Sequence, residues 1–449
     1  MPAKQRILVC RAGFVLFCAL PTLLVGLWIV RRSSEGFAAA DRAEWQRELT
    51  SRLGLVVEIR QVSYPGYCVA RLEGFRLADP ETGASMFAAQ AVEVALEGGE
   101  WRIEAWQPQV AAAQLRPLAQ RLHDRLLCGP AGSLAECQLV ARELTIVGER
   151  GGQSLVNVVG RFELKDGVNP QLAATFQLPA ASDPAAVARL SVGRQRDLPI
   201  PTTTWQLDTG GEWLPCWLLA AADLDRLGQA CNFAGTVAVT DSPAGLSGSL
   251  AGSLDEVDLD ALVTEHFPHV LSGLGRVRIE RAALRDGKLV GLRGSLQVRN
   301  GAIGESLLAA AAEHLQLDRP PARPAAIAEG SLPFRQLSLG FHLDGRLLKL
   351  SGNADPTQPG ALLASAGGPL LTAPSRHAVP AVHLLRTLLT ENQFQVPATR
   401  QTDALIGLLP VPDLVPTRTA SRQRPHTPTR LRTSGPLEAA PVIRPPVFR

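Results

Sequence analysis

The sequence predicts a mainly β protein: an N-terminal transmembrane helix, then an elongated, curled, groove-like antiparallel β-sheet with short helices, and a disordered C-terminal tail. Three observations carry that reading. Nineteen uncharged residues, Ala12 to Val30, lie between Arg11 and the pair Arg31–Arg32. From Val56 to Leu350, runs in which apolar and polar residues alternate are separated by glycine-containing turn signals. The last 35 residues, Val415 to Arg449, hold seven Arg and seven Pro against a single acid, Glu438, with almost no periodicity.

As a helix, Ala12 to Val30 reaches ~28 Å, close to the ~30 Å hydrocarbon core of a bilayer. A cleaved signal peptide ending at Ala38-Ala39-Ala40 is the competing reading, but the apolar run exceeds the ~7 to 15 residues of a signal core. An uncleaved anchor is therefore expected. Lys4, Arg6 and Arg11 precede the span, whereas Arg31 and Arg32 are soon diluted by Glu35 and Asp41, which places the N-terminus in the cytoplasm and exports the body. Pro21 within the span implies a kink, which membrane helices tolerate.

The body divides by its patterns. Residues 1–40 form the anchor and its flanks, 41–180 a first β region, 181–201 a connection, 202–372 a second β region, 373–396 a short helical segment and 397–449 the tail. A polar helix around Asp41 to Leu53 ends at Gly54, after which Val57 and Ile59 oppose Glu58 and Arg60. Tyr64-Pro65-Gly66 interrupts, Val69 to Leu77 extends again, and Asp79-Pro80-Glu81-Thr82-Gly83 is a turn. Val92, Val94 and Leu96 lead through Gly98-Gly99 into Trp101, Ile103 and Ala105, the pattern of a hairpin.

Asp166-Gly167, Asp286-Gly287, Asn300-Gly301 and Asp344-Gly345 mark further turns between runs such as Val277-Ile279 and Leu337-Leu339-Phe341-Leu343. Gln114–Leu127, Leu214–Leu227, Asp255–Phe267 and Ile303–Leu317 space their apolar residues by three and four, as helices do. Ala180 to Pro201, with Asp183-Pro184 and Pro199-Ile200-Pro201, reads as the connection between the β regions.

Composition narrows the function classes. A net charge of +3 over 449 residues, with both signs interspersed, is no footprint for nucleic acid, and no such partner is expected. Aromatic residues are 5% of the chain, low for a compact sandwich core, which favours a thin or elongated sheet. Of seven cysteines, Cys10 and Cys18 lie in or beside the span. For an exported body, Cys128 with Cys137 and Cys216 with Cys231 are the sequence-nearest disulfide candidates, leaving Cys68; unpaired buried thiols are the alternative.

Catalytic motifs are lacking: the sequence has no G-x-S-x-G, H-E-x-x-H, P-loop or complete G-x-G-x-x-G. Glu265, His266 and His269 resemble a metal cluster, but Pro268 disturbs their spacing, and they read as surface histidines at a helix end. The acidic run Asp255, Glu256, Asp258, Asp260 reads as the N-terminus of a helix capped by Ser253 or Asp255. No catalytic residue, metal or cofactor is assigned, and no enzyme is expected.

Leu-x-x-x-Leu-Gly-x-x-Val-x-Ile-x-x-Val from Leu49, followed by Leu72-Glu73-Gly74-Phe75-Arg76-Leu77-Ala78-Asp79-Pro80, resembles the start of AsmA-like proteins, the AsmA, TamB and YhdP type. Gly248 to Leu371 is similar to their C-terminal portion, through Leu250-Ala251-Gly252, Gly294-Ser295-Leu296, Asn300-Gly301-Ala302-Ile303-Gly304 and the run Leu337 to Gly352. The resemblance covers about half the chain, which is far shorter than the large members. It implies a protein held in the inner membrane by Ala12–Val30, its body in the periplasm and its sheet curled into a groove that shelters phospholipid acyl chains. Lining that groove would be Val92, Val94, Leu96, Val277, Ile279, Leu337, Leu339 and Phe341. The expected function is non-enzymatic: handling lipid or assisting envelope assembly, with phospholipid and other envelope proteins as partners. The alternative is an anchored scaffold that binds envelope proteins or polysaccharide without lipid.

Overall fold

The computed structural model describes residues 13–25, 35–66, 68–129, 136–148, 151–179, 186–222, 224–243, 245–320, 330–374, 378–389 and 407–408. Two units divide the chain, Met1–Pro410 and Val411–Arg449. The second, and with it most of the segment read as a tail, lies outside the described residues.

Residues 13–25 are helical, with a π turn at Val15–Ala19. This described stretch reaches ~20 Å, and among the described residues no helix is long and apolar enough to cross a membrane. The transmembrane helix expected over Ala12–Val30 is thus not found; the rest of that span, residues 12 and 26–30, lies outside the description. The next helix, α1 (Glu35–Leu53), is six residues longer at its start than the sequence suggested. It ends at Gly54, whose φ of +67° suits the left-handed position after a helix.

A meander follows. It opens with β1 (Val56–Glu58), β2 (Gln61–Gly66), β3 (Val69–Ala78), β4 (Ser85–Glu97), β5 (Glu100–Trp106) and β6 (Gln109–Ala111). A crossover carries α2 (Leu115–Leu122), which runs on as a π turn over His123–Leu127. Then come β7 (Cys137–Gly148), β8 (Gly151–Lys165), β9 (Asn169–Gln177), β10 (Ala188–Gln195), β11 (Thr202–Asp208) and β12 (Leu214–Pro215). The second half holds β13 (Asn232–Ser242), β14 (Gly245–Asp258), β15 (Leu271–Ser272), β16 (Leu274–Arg285) and β17 (Lys288–Gly304). After α3 (Glu305–His314) the chain closes with β18 (Ser331–Asp344), β19 (Leu347–Gly352), β20 (Ala361–Ser365), β21 (Gly368–Thr372), β22 (Val379–Pro380) and α4 (Val382–Leu388).

All 22 strands among the described residues belong to one sheet. From β7 the long strands pair in chain order, β7 to β8, β9, β10, β11, β13, β14, β16, β17 and β18, always antiparallel. β5 and β6 pair with β7 in parallel, which the helical crossover between them allows and a hairpin would not. The two β regions are therefore continuous, and the expected connection at Ala180–Pro201 is corrected: its second half contains β10, bonded to β9 and β11. Prolines on both sides masked the alternation of Ala188, Leu190 and Val192.

Other expectations shift for equally local reasons. Gly98, Gly99, Asp166, Gly167, Asp286, Gly287 and Gly345 take the positive φ that tight hairpins require. Asn300-Gly301 does not turn the chain; Asn300, at φ +56°, sits inside β17. Ser253 and Asp255 cap no helix, because β14 runs through to Asp258 and the helical piece shrinks to a π turn at Asp260–Thr264. Asp255 answers Arg276 of β16 in a two-pronged ion pair at 2.7 and 3.0 Å, which holds its carboxyl below the usual range. Leu214–Leu227 begins as β12 and continues as 3-10 turns at Cys216–Ala222 and Leu224–Leu227.

Helices close the two ends of the sheet. Trp45, Leu49 and Leu53 of α1 pack on Leu55, Val57, Leu72 and Val92. At the far end, Leu307, Leu308 and Ala311 of α3 and Leu385 of α4 bury Val298, Leu343, Leu348 and Leu363. His269 belongs beneath this second cover. It is 3% exposed, and its Nδ1 shares a hydrogen bond of 3.0 Å with Ser306 Oγ, so it is not the surface histidine that its polar neighbours suggested.

Burial pushes the His269 pKa below its ordinary 6.5. The folded chain thus holds this ring neutral while the unfolded chain protonates it, so its contribution to stability is complete above about pH 6.5 and is lost as pH falls below that value. The melting temperature of wild type should fall more steeply between about pH 7.5 and pH 5.5 than that of His269→Asn, which keeps a partner for Ser306 without titrating. Parallel slopes in thermal melts of the two proteins would contradict this assignment.

Candidate functional site

In a β-strand, side chains alternate between faces, and residues paired across a ladder share one. The sheet therefore sorts its residues by register. From Ala70 in β3, one row passes through Val94, Ile103, Leu139, Gly160, Ala174 and Leu190. It continues through Leu207, Val237, Leu250, Ala282, Leu292, Leu343, Leu348 and Val379. None of these registered positions carries a polar side chain. At about 4.8 Å per strand the row runs roughly 65 Å along the sheet.

A second row lies beside it on the same face: Leu96, Trp101, Cys137, Phe162, Leu172, Val192, Trp205, Val239, Gly248, Leu284 and Leu289. The back of the sheet is different. There, Ala95 leads to Arg102, Gln138, Arg161, Ala173, Ser191 and Gln206, and Arg71 meets Glu93 in an ion pair of 3.0 Å. Two neighbouring rows of one face are thus apolar across the sheet, bordered on β10, β11 and β13 by the polar positions Arg194, Thr203 and Asp241, and the other face is mixed and charged.

The groove residues expected from the sequence fall into two groups on the apolar face. Val277 lies opposite Leu254 and Leu296, and Leu296 opposite Leu339. Ile279 is paired through Gly294 to Phe341, and Leu337 faces Val298. Val92, Val94 and Leu96 share β4 at the other end, and the first row joins Val94 to the second group. Their surroundings differ. Val92 is buried under α1 with Val94 against it, whereas Leu96 is 40% exposed. Leu337, Leu339 and Phe341 lean on the core under α3 and α4, and Val277 on the cluster around Phe233 and Leu254.

Between the covers the row opens. Leu139 is 37% exposed, Leu190 and Leu250 are half-buried, and among the described residues these two join none of the buried clusters. Sequence reasoning missed this stretch because Leu190 stood in a presumed linker and Leu207, Val237 and Leu250 each lie in short alternating runs broken by glycine, serine and threonine. The crossover helix lies over the neighbouring part of the face. Leu118 reaches the Leu72–Val92 cluster, Leu115 the Ala141–Val158 cluster, and the His123 ring stacks on Trp205 at 5.7 Å. Arg196 secures its end, Nη2 donating to the Leu127 carbonyl at 2.6 Å.

Chemistry-bearing groups are sparse along this face. His123, Asp124 and Cys128 gather at the π turn within 4.8 Å of one another. His123 Nδ1 lies 3.1 Å from Asp124 Oδ1 and 3.7 Å from Cys128 Sγ. Arg196 places a positive charge beside Cys128, which opposes a second cation there. The face offers surface and apolar contact, and the thiol–imidazole contact of Cys128 with His123 stands at its edge on the π turn.

Glycines let the strands close on one another where the apolar rows cross. A Cβ on Gly294 would overlap the Arg278 carbonyl oxygen and stand 2.9 Å from the Phe341 ring. Gly294→Ala should therefore cost about 1–3 kcal/mol as an overpacked site, read as a lower urea midpoint; an unchanged midpoint would show that β16 and β18 yield freely. No family model matches the chain, and neither a curated protein nor a solved structure matches it.

Proposed function

We propose that the chain is a membrane-anchored, non-enzymatic envelope protein of AsmA-like type whose apolar sheet face carries phospholipid acyl chains. In this reading Ala12–Val30 holds it in the inner membrane, the body stands in the periplasm, and other envelope proteins are its partners. One observation supports it above the rest: the unbroken apolar row from Ala70 to Val379, exposed at Leu139 and half-buried at Leu190 and Leu250.

The row suits a chemically monotonous ligand. Pockets that select one small molecule place a few polar groups to fix its orientation, and this row has no polar side chain. An acyl chain needs none. Burying a dozen methylenes is worth about 10 kcal/mol before ordering costs, ample for retention. A polysaccharide or a polar peptide would leave its hydroxyls or amides unpaired on the same surface.

The test uses the chain from Glu35 to Leu389, secreted and purified without detergent, then extracted and examined for phospholipid by mass spectrometry. Wild type should carry lipid. Leu250→Asp should carry several-fold less, and Ser191→Asp, a charge on the opposite face, should carry as much as wild type, with circular dichroism showing all three folded. A lipid-free wild type, or equal loss from both variants, would contradict the proposal and leave the scaffold reading.

A further inference from the structure

Cys216 and Cys231 stand on adjacent segments of the second half of the sheet. β12 pairs Leu214 with Phe233 and Pro215 with Asn232, so the next rung of that ladder sets Cys216 opposite Cys231. The Cys216 N–H donates to the Cys231 carbonyl at 2.7 Å. Residues directly opposite in an antiparallel ladder have Cβ atoms about 4.5–5.5 Å apart, and a disulfide needs about 3.5–4.5 Å. An adjustment of about one ångström therefore suffices.

Burial sets this pair apart from the other cysteines. Both are 0% exposed, packed with Phe233, Leu254 and Val257, whereas Cys128 is exposed and Cys68 and Cys137 are half-exposed. The two thiols also share a hydrogen bond, which draws the Cys231 thiol down and pushes Cys216 up.

We propose that Cys216 and Cys231 form a disulfide site, closed by exchange with a glutathione or protein disulfide while the chain folds. One of the two cysteines, as its thiolate, attacks one sulfur of the oxidant disulfide, forming a mixed disulfide and expelling one thiolate. The other cysteine then gives up its proton and attacks the protein sulfur of that mixed disulfide, expelling the second thiolate. Two protein thiols become one disulfide, and the two electrons reduce the oxidant to two thiols. The bond closes the loop of residues 217–230 and clamps Trp217 and Leu218 onto the Ala141–Val158 cluster. That restraint removes freedom from the unfolded chain. The assignment rests on the exported body of the proposed function and not on its lipid, and it fails by a different measurement.

The full chain is produced with its body in a bacterial periplasm, and free thiols are trapped with N-ethylmaleimide in denaturant before digestion and mass spectrometry. The expected result is one linked species joining the Cys216 and Cys231 peptides, two hydrogens lighter than the pair of thiols, and a melting temperature that drops by several degrees on reduction. In Cys231→Ser, Cys216 should carry the maleimide. Recovery of both residues alkylated in wild type, or of either linked to Cys68, Cys128 or Cys137, would overturn the site.

Discussion

Register is the constraint on which the structure depends. Because side chains alternate with a period of two, a slip of one residue in any ladder would turn all the downstream apolar side chains to the opposite face. The row from Ala70 to Val379 crosses its ladders without such a slip, and it does so through local corrections. Leu254 and Val257, an odd number of residues apart, are buried in the same cluster. An ideal strand cannot do this. The bulge between them, with Glu256 at φ +56°, inserts the residue that restores the phase. Asn157, at φ +53°, attends the shift between Val156 and Val159 in β8, and Asn300 lies between Val298 and Ile303, both buried in one core. Bulges also bend a strand and increase its twist, so the devices that keep the face apolar also bend the surface that carries it.

Much of this was legible because hairpins are written locally. Val92 to Ala105 announces two strands and their turn in consecutive residues, as do the runs around Asp166-Gly167 and Asp286-Gly287, and these sites fold as read. Where meaning depends on a distant partner, local reading failed. Asn300-Gly301 has the composition of a hairpin turn, yet β17 continues through it because β18 supplies a partner on both sides, Gln336 at Arg299 and Phe334 at Gly301. Asp255 looked like a helix cap until Arg276 of a neighbouring strand gave it a counter-charge. β10 was hidden between prolines, and its loss from the reading split one sheet into two regions. Individual groove residues were legible as alternating apolar positions; their union into a single row was not, since register between strands is not a property of any one strand.

The covers refine what an apolar face can do. Helices α1, α3 and α4 convert the two ends into ordinary cores, so Val92, Leu337, Leu339 and Phe341 contribute first to stability. The middle strands, β7 to β14, keep the same sequence logic with less packed over them, and the thin core agrees with the low aromatic share of the chain. An apolar row of this continuity, exposed at Leu139 and half-buried at Leu190 and Leu250, costs solubility where nothing occupies it. In the proposed reading acyl chains meet that need with the fewest demands on polar chemistry, and the charged back of the sheet keeps the other side in water.

The central claim is that one face, and not the other, meets lipid in the middle of the sheet. A phospholipid with a photoactivatable group at the end of one acyl chain, crosslinked to the protein and located by peptide mass spectrometry, tests it residue by residue. The account predicts crosslinks at Leu139, Leu190, Leu207, Val237 and Leu250 and none at Ser191, Gln206, Ala238 or Ser249, their neighbours on the opposite face. Crosslinks on both faces alike, or confined to the exposed ends of strands, would contradict it.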